Sequence, residues 1–444
     1  MTAARGSRLR EAGPQARPAA LLVSSRFGPL FWTQFLSAFN DNALKNALVL
    51  MIAYRPEVAG SWSPGIVIPL AGGLFILPYF LCSATAGMLA DTTDKSRLAR
   101  LIKFVEIFVM VAAALAVLLG HAGWILALLF AMGIEAAFFG PLKYAILPDL
   151  LAPDALLLGN ALVEAGTFLA ILLGTIAGML IAGEHGGRII AVLIVAVAIG
   201  AWLSSRRLPP VPPSATGRAD WNLFAATARL IGQAAREKTT WRSMLGISWF
   251  WLAGAMYLSQ FPTYVRFVLG CEEAVVTLFL AVFSVGIAVG SLLCNKVLRG
   301  KVSPRTVPWG ALGMGVLSLD LYLASPAPEA GPVLVSVGGF LATPAGWRIV
   351  ADLFGIALFG GVFVVPLYAI LQVASDEAVR AQTIAANNVV NAAAMVVAAV
   401  VTAALIWAGL SVPGLFVVAG GATLLVAYAF WLLAPSLTVE GEGR

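Results

Sequence analysis

A chain of 444 residues that is 60% hydrophobic and 11% charged, with a mean hydropathy of +0.92, is far more apolar than soluble domains, where about 25% of residues are charged. This composition excludes a soluble globular protein. Apolar runs of roughly 20 residues recur along the chain, which is the length that a helix needs to cross about 30 Å of hydrocarbon.

In chain order, the apolar runs predict twelve transmembrane helices in two groups of six, because backbone groups in lipid must be paired within a helix. The first 28 residues lack the apolar core of a signal peptide and predict a cytoplasmic tail. The predicted helices are 29–54, 65–90, 98–120, 123–147, 156–183, 187–204, 243–268, 273–298, 306–325, 346–371, 379–405 and 411–434. The predicted domains are a basic tail (1–28), an N-terminal half (29–204), a linker (205–242), a C-terminal half (243–434) and a second tail (435–444).

The first predicted helix carries charges near the depth of the bilayer centre. Asp41 lies twelve residues, about 18 Å, from the start of this helix. A charge at that depth costs about 2.5–3.5 kcal/mol on insertion scales, so it is a candidate for function. Asn42 adds an amide beside it, and Lys45 follows one helical turn later. Simple neutralisation of Asp41 by Lys45 is the alternative interpretation.

A charged turn follows the second predicted helix, with Gly87 and Asp91 before it and Arg97 after it. Gly87 permits the close approach of a neighbouring helix, and Asp91 is suited to complement the positive N-terminal end of a helix. We therefore interpret these three residues as a structural loop, called the signature loop below.

The fourth and fifth predicted helices contribute further charges. Glu135 lies twelve residues into the fourth helix from the opposite face, so we expect Asp41 and Glu135 to share a central cavity. Lys143 and Glu164 fall at comparable heights, and we expect them to pair. Snorkelling of Lys143 to the interface is the alternative.

Amides accompany the charges on the first and fifth helices of each half. Hydrogen bonding between helices is the default role of a single buried Asn. Because Asn160, Asn388 and Asn391 group with the charged positions, we include them in the predicted site. Glu106 and Asp320 lie on the third helix of each half, where we expect peripheral positions outside the site.

The two halves repeat each other. Pro141-Leu-Lys143-Tyr144-Ala-Ile-Leu147 returns one residue shorter as Pro366-Leu-Tyr-Ala-Ile-Leu371, and Asn160–Glu164 aligns with Asn387–Asn391. One duplication with one loop insertion, at about 326–345, explains the spacing. Two six-helix repeats with a charged turn after the second helix describe the major facilitator architecture, an all-α membrane fold.

The linker begins with a run of four prolines around Val211, and its later apolar and basic residues predict either a helix on the membrane surface or a solvated linker helix.

The distribution of basic residues predicts the orientation of the chain. Of the 28 Lys and Arg residues, 22 fall on the side of the two termini and the linker, among them Lys103, which we assign to the turn after the second helix. Four fall on the opposite side. This bias predicts that the termini and the linker are cytoplasmic. It accounts for the net charge of +6, which indicates anionic lipid at that face and not nucleic acid.

Five segments stand out as motifs, namely Phe35–Leu44, Pro141–Leu147, Asn160–Glu164, Trp221–Leu223 and Gly360–Leu367. From about residue 30 to residue 430 they closely resemble bacterial lysophospholipid transporters and the transporter domain of fused acyltransferase and acyl-carrier-protein synthetase proteins. The resemblance implies a flippase that moves lysophospholipids from the outer to the inner leaflet of the inner membrane for reacylation. It implies a monomer without enzyme activity or cofactor, and a cytoplasmic acyltransferase as partner.

A zwitterionic head group needs charges of both signs, which Asp41, Glu135, Lys143 and Glu164 supply.

The chain departs from the stand-alone transporters in its seventh helix, where Leu258 lies near the position of an Arg in those proteins. Asp41 is therefore left with Lys45, or with Arg266 if the helix is displaced.

Two other functions compete with lysophospholipid transport. The first is proton-coupled efflux of drugs or siderophores, with Asp41 or Glu135 as the proton carrier. The second is a membrane acyltransferase, which His121 and His185 do not support because they lie at predicted periplasmic turns without an acid at catalytic spacing. The three cysteines are isolated and lack metal-ligand spacing, so no metal site is predicted.

Overall fold

The computed structural model describes residues 17–54, 64–120, 122–182, 185–216, 223–326, 334–433 and 437. Across these ranges the chain is helical, with a single isolated bridge between Cys271 and Val335. Residues 1–16 of the predicted first tail and the predicted second tail (435–444) apart from Leu437 lie outside the described residues, as do His121 and the Trp221-Asn222 pair. The prediction of an all-helical protein is confirmed.

Within the described ranges the chain forms short helices and long ones of 18 residues or more. The short helices are α1 (Pro18–Val23), α6 (Leu147–Leu150), α9 (Leu223–Ala234) and α13 (Val337–Leu341). The long helices are α2 (Gly28–Tyr54), α3 (Pro64–Thr92), α4 (Lys95–Leu119), α5 (Ala122–Ala145), α7 (Leu156–Gly178), α8 (Gly186–Ser205), α10 (Lys238–Thr263), α11 (Glu273–Leu298), α12 (Val307–Ala324), α14 (Pro344–Ala374), α15 (Arg380–Trp407) and α16 (Val412–Leu433).

The twelve long helices match the predicted transmembrane helices, with ends that differ by a few residues. Ten of the described helices are long and apolar enough to cross a membrane. The other two, α2 and α10, are as long but more polar, and α2 carries Asp41 and Lys45. The seventh predicted helix continues beyond α10 as a π-helical turn, Tyr264–Val268. The chain is therefore a multi-pass membrane protein.

The helices form two compact units. The first contains the chain up to Glu237 together with Ser375–Val389, and the second contains Lys238–Ala374 and the chain from Val390 onwards. Most of the predicted linker thus belongs to the first unit. The first turns of α15 belong to the first unit and the rest of α15 to the second.

In the first unit, α2 and α7 approach so closely that only glycine fits at two positions of α7. A Cβ atom on Gly174 would lie 2.3 Å from the carbonyl oxygen of Phe39, and one on Gly178 would lie 2.7 Å from that of Ala43. Small residues four apart are the usual means of close helix packing in membranes. The contact holds α2, which carries Asp41, against the buried helix α7.

The second unit uses the same device between α11 and α14. A Cβ atom on Gly286 would lie 2.7 Å from the carbonyl oxygen of Phe354, and one on Gly290 would lie 1.9 Å from that of Leu358. The glycine pair is again four residues apart, so the two helix backbones are in direct contact.

The linker is bound to the turn between α3 and α4. The backbone N–H of Lys95 donates to Val211 O at 3.0 Å, and that of Ser214 donates to Asp91 O at 2.9 Å. Beyond it, α9 packs on α3 with Leu230 buried, and the Thr227 hydroxyl lies 3.4 Å from Phe80 O. Ala226, Leu230 and Ala234 of α9 are thus buried. That α9 also lies on the membrane surface, as one of the two interpretations of the sequence has it, stays a prediction.

Candidate functional site

Lys103 of α4 is the centre of a buried ion cluster in the first unit. It is 0% exposed. Its Nζ lies 2.9 Å from Glu106 Oε2 on the same helix, forms an ion pair with Glu135 of α5, and donates to Ser37 Oγ of α2 at 2.5 Å. The ammonium group also lies 3.9 Å from the ring centroid of Phe139. One lysine side chain therefore joins three helices.

Asp41 lies next to this cluster. It follows Ser37 by one turn of α2 and interacts electrostatically with Glu135, Glu106 and Lys103. Its Oδ1 atom is buried and has no hydrogen-bond partner among the described residues. Since buried polar atoms are nearly always satisfied, an exception of this kind needs an explanation such as a ligand or a proton.

Lys45 does not form the predicted ion pair with Asp41. Within the described part of the chain the two charged groups are not within 4 Å of each other. The Lys45 Nζ atom donates instead to Asn42 Oδ1 at 3.2 Å and lies 5.9 Å from the ring centroid of Phe75. Lys45 still acts on Asp41 electrostatically, but without direct contact.

Lys143 and Glu164 also lie near each other without the predicted direct pair. Glu164 is 0% exposed and accepts a hydrogen bond from the Tyr144 hydroxyl. The Lys143 Nζ atom lies over the Tyr144 ring, 5.0 Å from its centroid, and interacts with Glu164 over a longer distance. On the same helix as Glu164, Asn160 is fully buried and its Nδ2 donates to Leu156 O at 3.0 Å.

The amides of α15 fall in different units. Asn388 belongs to the first unit, where its Nδ2 atom would lie only 2.7 Å from a Cβ atom on Gly140 of α5. Asn391 belongs to the second unit, where its Oδ1 accepts a hydrogen bond from Ser248 Oγ at 2.7 Å. Glycine at position 140 therefore provides the space that Asn388 occupies.

The signature loop binds the start of α15. Asp91 accepts hydrogen bonds from the backbone N–H groups of Ala381, at 2.9 Å, and Gln382, at 3.1 Å. A Cβ atom on Gly87 would lie 2.7 Å from that of Ala385, so Gly87 allows the contact. A carboxylate at a helix N-terminus satisfies unpaired N–H groups and complements the helix dipole. Arg97 of this loop is exposed.

The ion cluster corrects two interpretations of the sequence. Lys103 was expected in the cytoplasmic turn, but α4 begins at Lys95, so Lys103 lies about 12 Å into the helix. Glu106 was expected at the periphery, but it is 1% exposed and paired with Lys103. The signal available in the sequence is a Lys and a Glu three residues apart in an apolar run, a spacing that puts both on one helix face.

Asp320, the other charge that we expected at the periphery, lies in the second unit and pairs with the exposed Arg348 at 2.5 Å.

Comparison with known proteins places this chain in a family. Residues 30–357 match the model of the Major Facilitator Superfamily. The lysophospholipid transporter LplT of Enterobacter sp. (strain 638) is 30% identical over 405 residues, which are 90% of this chain and 93% of that protein. The chain belongs to the lysophospholipid transporter family of the major facilitator superfamily. This family is a class of transporters and not of enzymes.

Solved structures support the major facilitator fold. The human organic anion transporter MFSD10 (TETRAN) matches with a TM-score of 0.69 and 15% identity, over 94% of this chain and 100% of that one. A bacterial homologue of the iron transporter ferroportin in its outward-facing state matches with a TM-score of 0.67 and 14% identity, over 92% of this chain and 99% of that one. The prediction of a major facilitator fold is thereby confirmed.

Proposed function

We propose that this member of the family is a flippase that carries lysophospholipids from the outer to the inner leaflet of the bacterial inner membrane. The observation that supports it best is the group of charges of both signs inside the first unit. Three lysines and four carboxylates take part, namely Lys45, Lys103, Lys143, Asp41, Glu106, Glu135 and Glu164. The named relative, LplT, transports the same class of lipid according to its name.

The chemistry of the substrate fits this group of charges. A lysophosphatidylethanolamine head carries a phosphate and an ammonium group, and charge-assisted hydrogen bonds to ionised partners are the strongest contacts for both. Asp41 has a buried oxygen without a partner among the described residues, and it is suited to receive the ammonium group. Lys143, which is not in contact with a carboxylate in the described ion pairs, is suited to receive the phosphate.

We assign separate roles to the charges. Lys103, Glu106 and Glu135 neutralise one another and hold α2, α4 and α5 in place, so they position Asp41. Asp41, Asn42 and Lys45 on α2, with Lys143 and Tyr144 on α5, bind the head group. Glu164 of α7 fixes Tyr144, and Asn160 on the same helix with Asn388 extends the polar lining of the first unit. Asn391, in the second unit, stays a prediction from the sequence. Asp91, with Gly87, holds the start of α15, while the exposed Arg97 forms no hydrogen bond or ion pair with the described residues of that helix.

The orientation is part of the proposal. The excess of Lys and Arg predicts that both termini and the linker face the cytoplasm. Delivery to the inner leaflet then places the lysophospholipid next to a cytoplasmic acyltransferase, which restores the second acyl chain. The transporter itself acts as a monomer.

The experiment is an import assay in spheroplasts of the native host. Spheroplasts from a strain without the gene should fail to import labelled lysophosphatidylethanolamine, and the gene on a plasmid should restore import. Lysophosphatidylglycerol should compete with the label. Equal import with and without the gene would contradict the proposal.

The unpartnered Asp41 oxygen also favours a second candidate, proton-coupled efflux with Asp41 as the carrier. This function predicts that transport of a drug or siderophore collapses when an ionophore dissipates the proton gradient. It also predicts that lysophospholipids do not compete. The same spheroplasts, assayed with and without ionophore, distinguish the two functions.

A further inference from the structure

A groove on the outside of the first unit is separate from the proposed head-group site. It lies between α3, α4 and α5 and has a volume of about 360 Å³. Leu101 and Val105 of α4 and Ile134 and Phe138 of α5 form its walls. The volume lies in the range of known ligand pockets, roughly 300–1,000 Å³. Among the described residues that line it, Glu135 is the one that carries a charge.

The groove has the length of one half of a bilayer. Its lining on α4 extends from Leu98 to Val109, a rise of about 16 Å, while half of the hydrocarbon core is about 15 Å thick. It begins near the end of α4 that carries Lys95 and ends near Val109 and Ala131, with Glu135 about halfway along it, level with its partner Lys103. The groove therefore runs within a single leaflet, which the Lys and Arg distribution predicts to be the cytoplasmic one.

The outer end of the groove is basic. Arg97 precedes Leu101 by four residues and Val105 by eight, so the three lie on one stripe of α4. Arg97 is exposed and takes part in none of the ion pairs between described residues. A basic side chain at the membrane surface attracts lipid phosphate. A cation at one end and an apolar channel of one leaflet's length match a phospholipid.

The middle of the groove lies against the ion cluster. Glu135 lines the groove and pairs with Lys103 behind it. Water in the groove would raise the local dielectric constant and weaken this pair. An acyl chain in the groove excludes water and so preserves the electrostatic contact.

We propose that the groove is a binding site for a two-chain phospholipid of the surrounding leaflet. The phosphate lies beside Arg97, and one acyl chain fills the groove past Glu135 as far as Val109. The second chain lies in the bilayer along the open side, where Leu101 is 59% exposed and Val105 is 48% exposed. Because the groove is open on this side, it accommodates a lipid with two chains, and such lipids are the bulk of the membrane.

The test is native mass spectrometry of the purified full chain, titrated with phosphatidylglycerol in detergent. Val105→Trp and Leu101→Trp both fill the groove, so each should lower retention of the first bound lipid at least tenfold. Leu115→Trp is the matched control, because Leu115 lies on the same helix, is 55% exposed and is not in the groove lining. It should retain lipid as the wild type does. Arg97→Gln should weaken retention several-fold.

Two results would overturn the proposal. One is equal lipid retention by the groove-filling variants and the Leu115→Trp control. The other is retention of lysophosphatidylglycerol as tight as that of the two-chain lipid, since this would make the groove a site for the transported substrate class. Lipid retention is measured without transport, so the result does not depend on the proposed flippase activity.

Discussion

Lys103 of α4 and Glu135 of α5 form a buried ion pair that ties two membrane helices together beside Asp41. The same ammonium group contacts Ser37 of α2, so the position of the Asp41 helix depends on a residue of a different helix. In a low-dielectric interior, a paired charge of this kind is tolerated, whereas an unpaired one is costly. The pair therefore links the packing of three helices to the environment of the candidate site.

Removal of the lysine should destabilise the first unit. Lys103→Met leaves Glu106 and Glu135 without a cation, and breaking a buried pair from one side costs about 3–5 kcal/mol. We expect a clear fall in the melting temperature of the purified protein, measured by scanning fluorimetry. Adding Glu106→Gln and Glu135→Gln should recover much of the loss. The exposed Lys301→Met is the control, and equal melting temperatures for Lys103→Met and this control would show that the pair is not stabilising.

Asp41 should be required for transport but not for folding. Asp41→Asn keeps the size of the side chain and removes the charge that we assign to ammonium binding, so uptake of labelled lysophosphatidylethanolamine should be lost at normal protein levels in the membrane. Asp320→Asn is the matched control, because Asp320 pairs with the exposed Arg348 in the second unit. Normal uptake by Asp41→Asn would remove Asp41 from the mechanism.

Two glycine substitutions should separate an effect on transport from an effect on helix packing and stability. In Gly140→Ala the new Cβ atom meets only the movable end of Asn388, so stability should hardly change while transport falls several-fold. In Gly290→Ala it meets the backbone of Leu358 at 1.9 Å, and overpacking should cost about 1–3 kcal/mol. Gly72→Ala, which meets nothing within 4 Å, is the control for both. Melting temperature and uptake, measured on all three variants, test this difference. A similar loss of stability in Gly140→Ala and Gly290→Ala would refute it.

The signature loop should stabilise the protein because Asp91 caps the start of α15. Asp91→Ala removes the acceptor for the N–H groups of Ala381 and Gln382, and the loss of a helix cap costs about 0.5–2 kcal/mol. Asp91→Asn retains an acceptor but not the charge, so its melting temperature should lie between those of the wild type and the alanine variant. Asp154→Ala, at an exposed position, should match the wild type. An unchanged melting temperature in Asp91→Ala would exclude this role.

The twelve long helices could be predicted from the sequence because apolar length alone decides where a helix crosses lipid. The family could be predicted as well, since motifs such as Phe35–Leu44 are specific. The charges of the candidate site were also visible, because Asp41, Glu135 and Glu164 interrupt apolar runs.

The partners of these charges could not be predicted. Lys103 lies close to a charged turn, and hydropathy does not distinguish a turn residue from the first turns of a helix. Lys45 and Lys143 were at suitable spacings to pair with Asp41 and Glu164, but side-chain direction decides such contacts. Lys45 donates to Asn42, and Lys143 lies over the Tyr144 ring. The cover that α3 gives to α9 is likewise a long-range contact without a local signal.

The most direct test of the proposed function is the movement of a lysophospholipid across a bilayer that contains only the purified protein. Labelled lysophosphatidylethanolamine is placed in the outer leaflet of proteoliposomes, and the fraction that albumin can no longer extract is followed over time. We expect this fraction to grow much faster than in protein-free liposomes or with Asp41→Asn. A rate equal to that of protein-free liposomes would contradict lysophospholipid flipping.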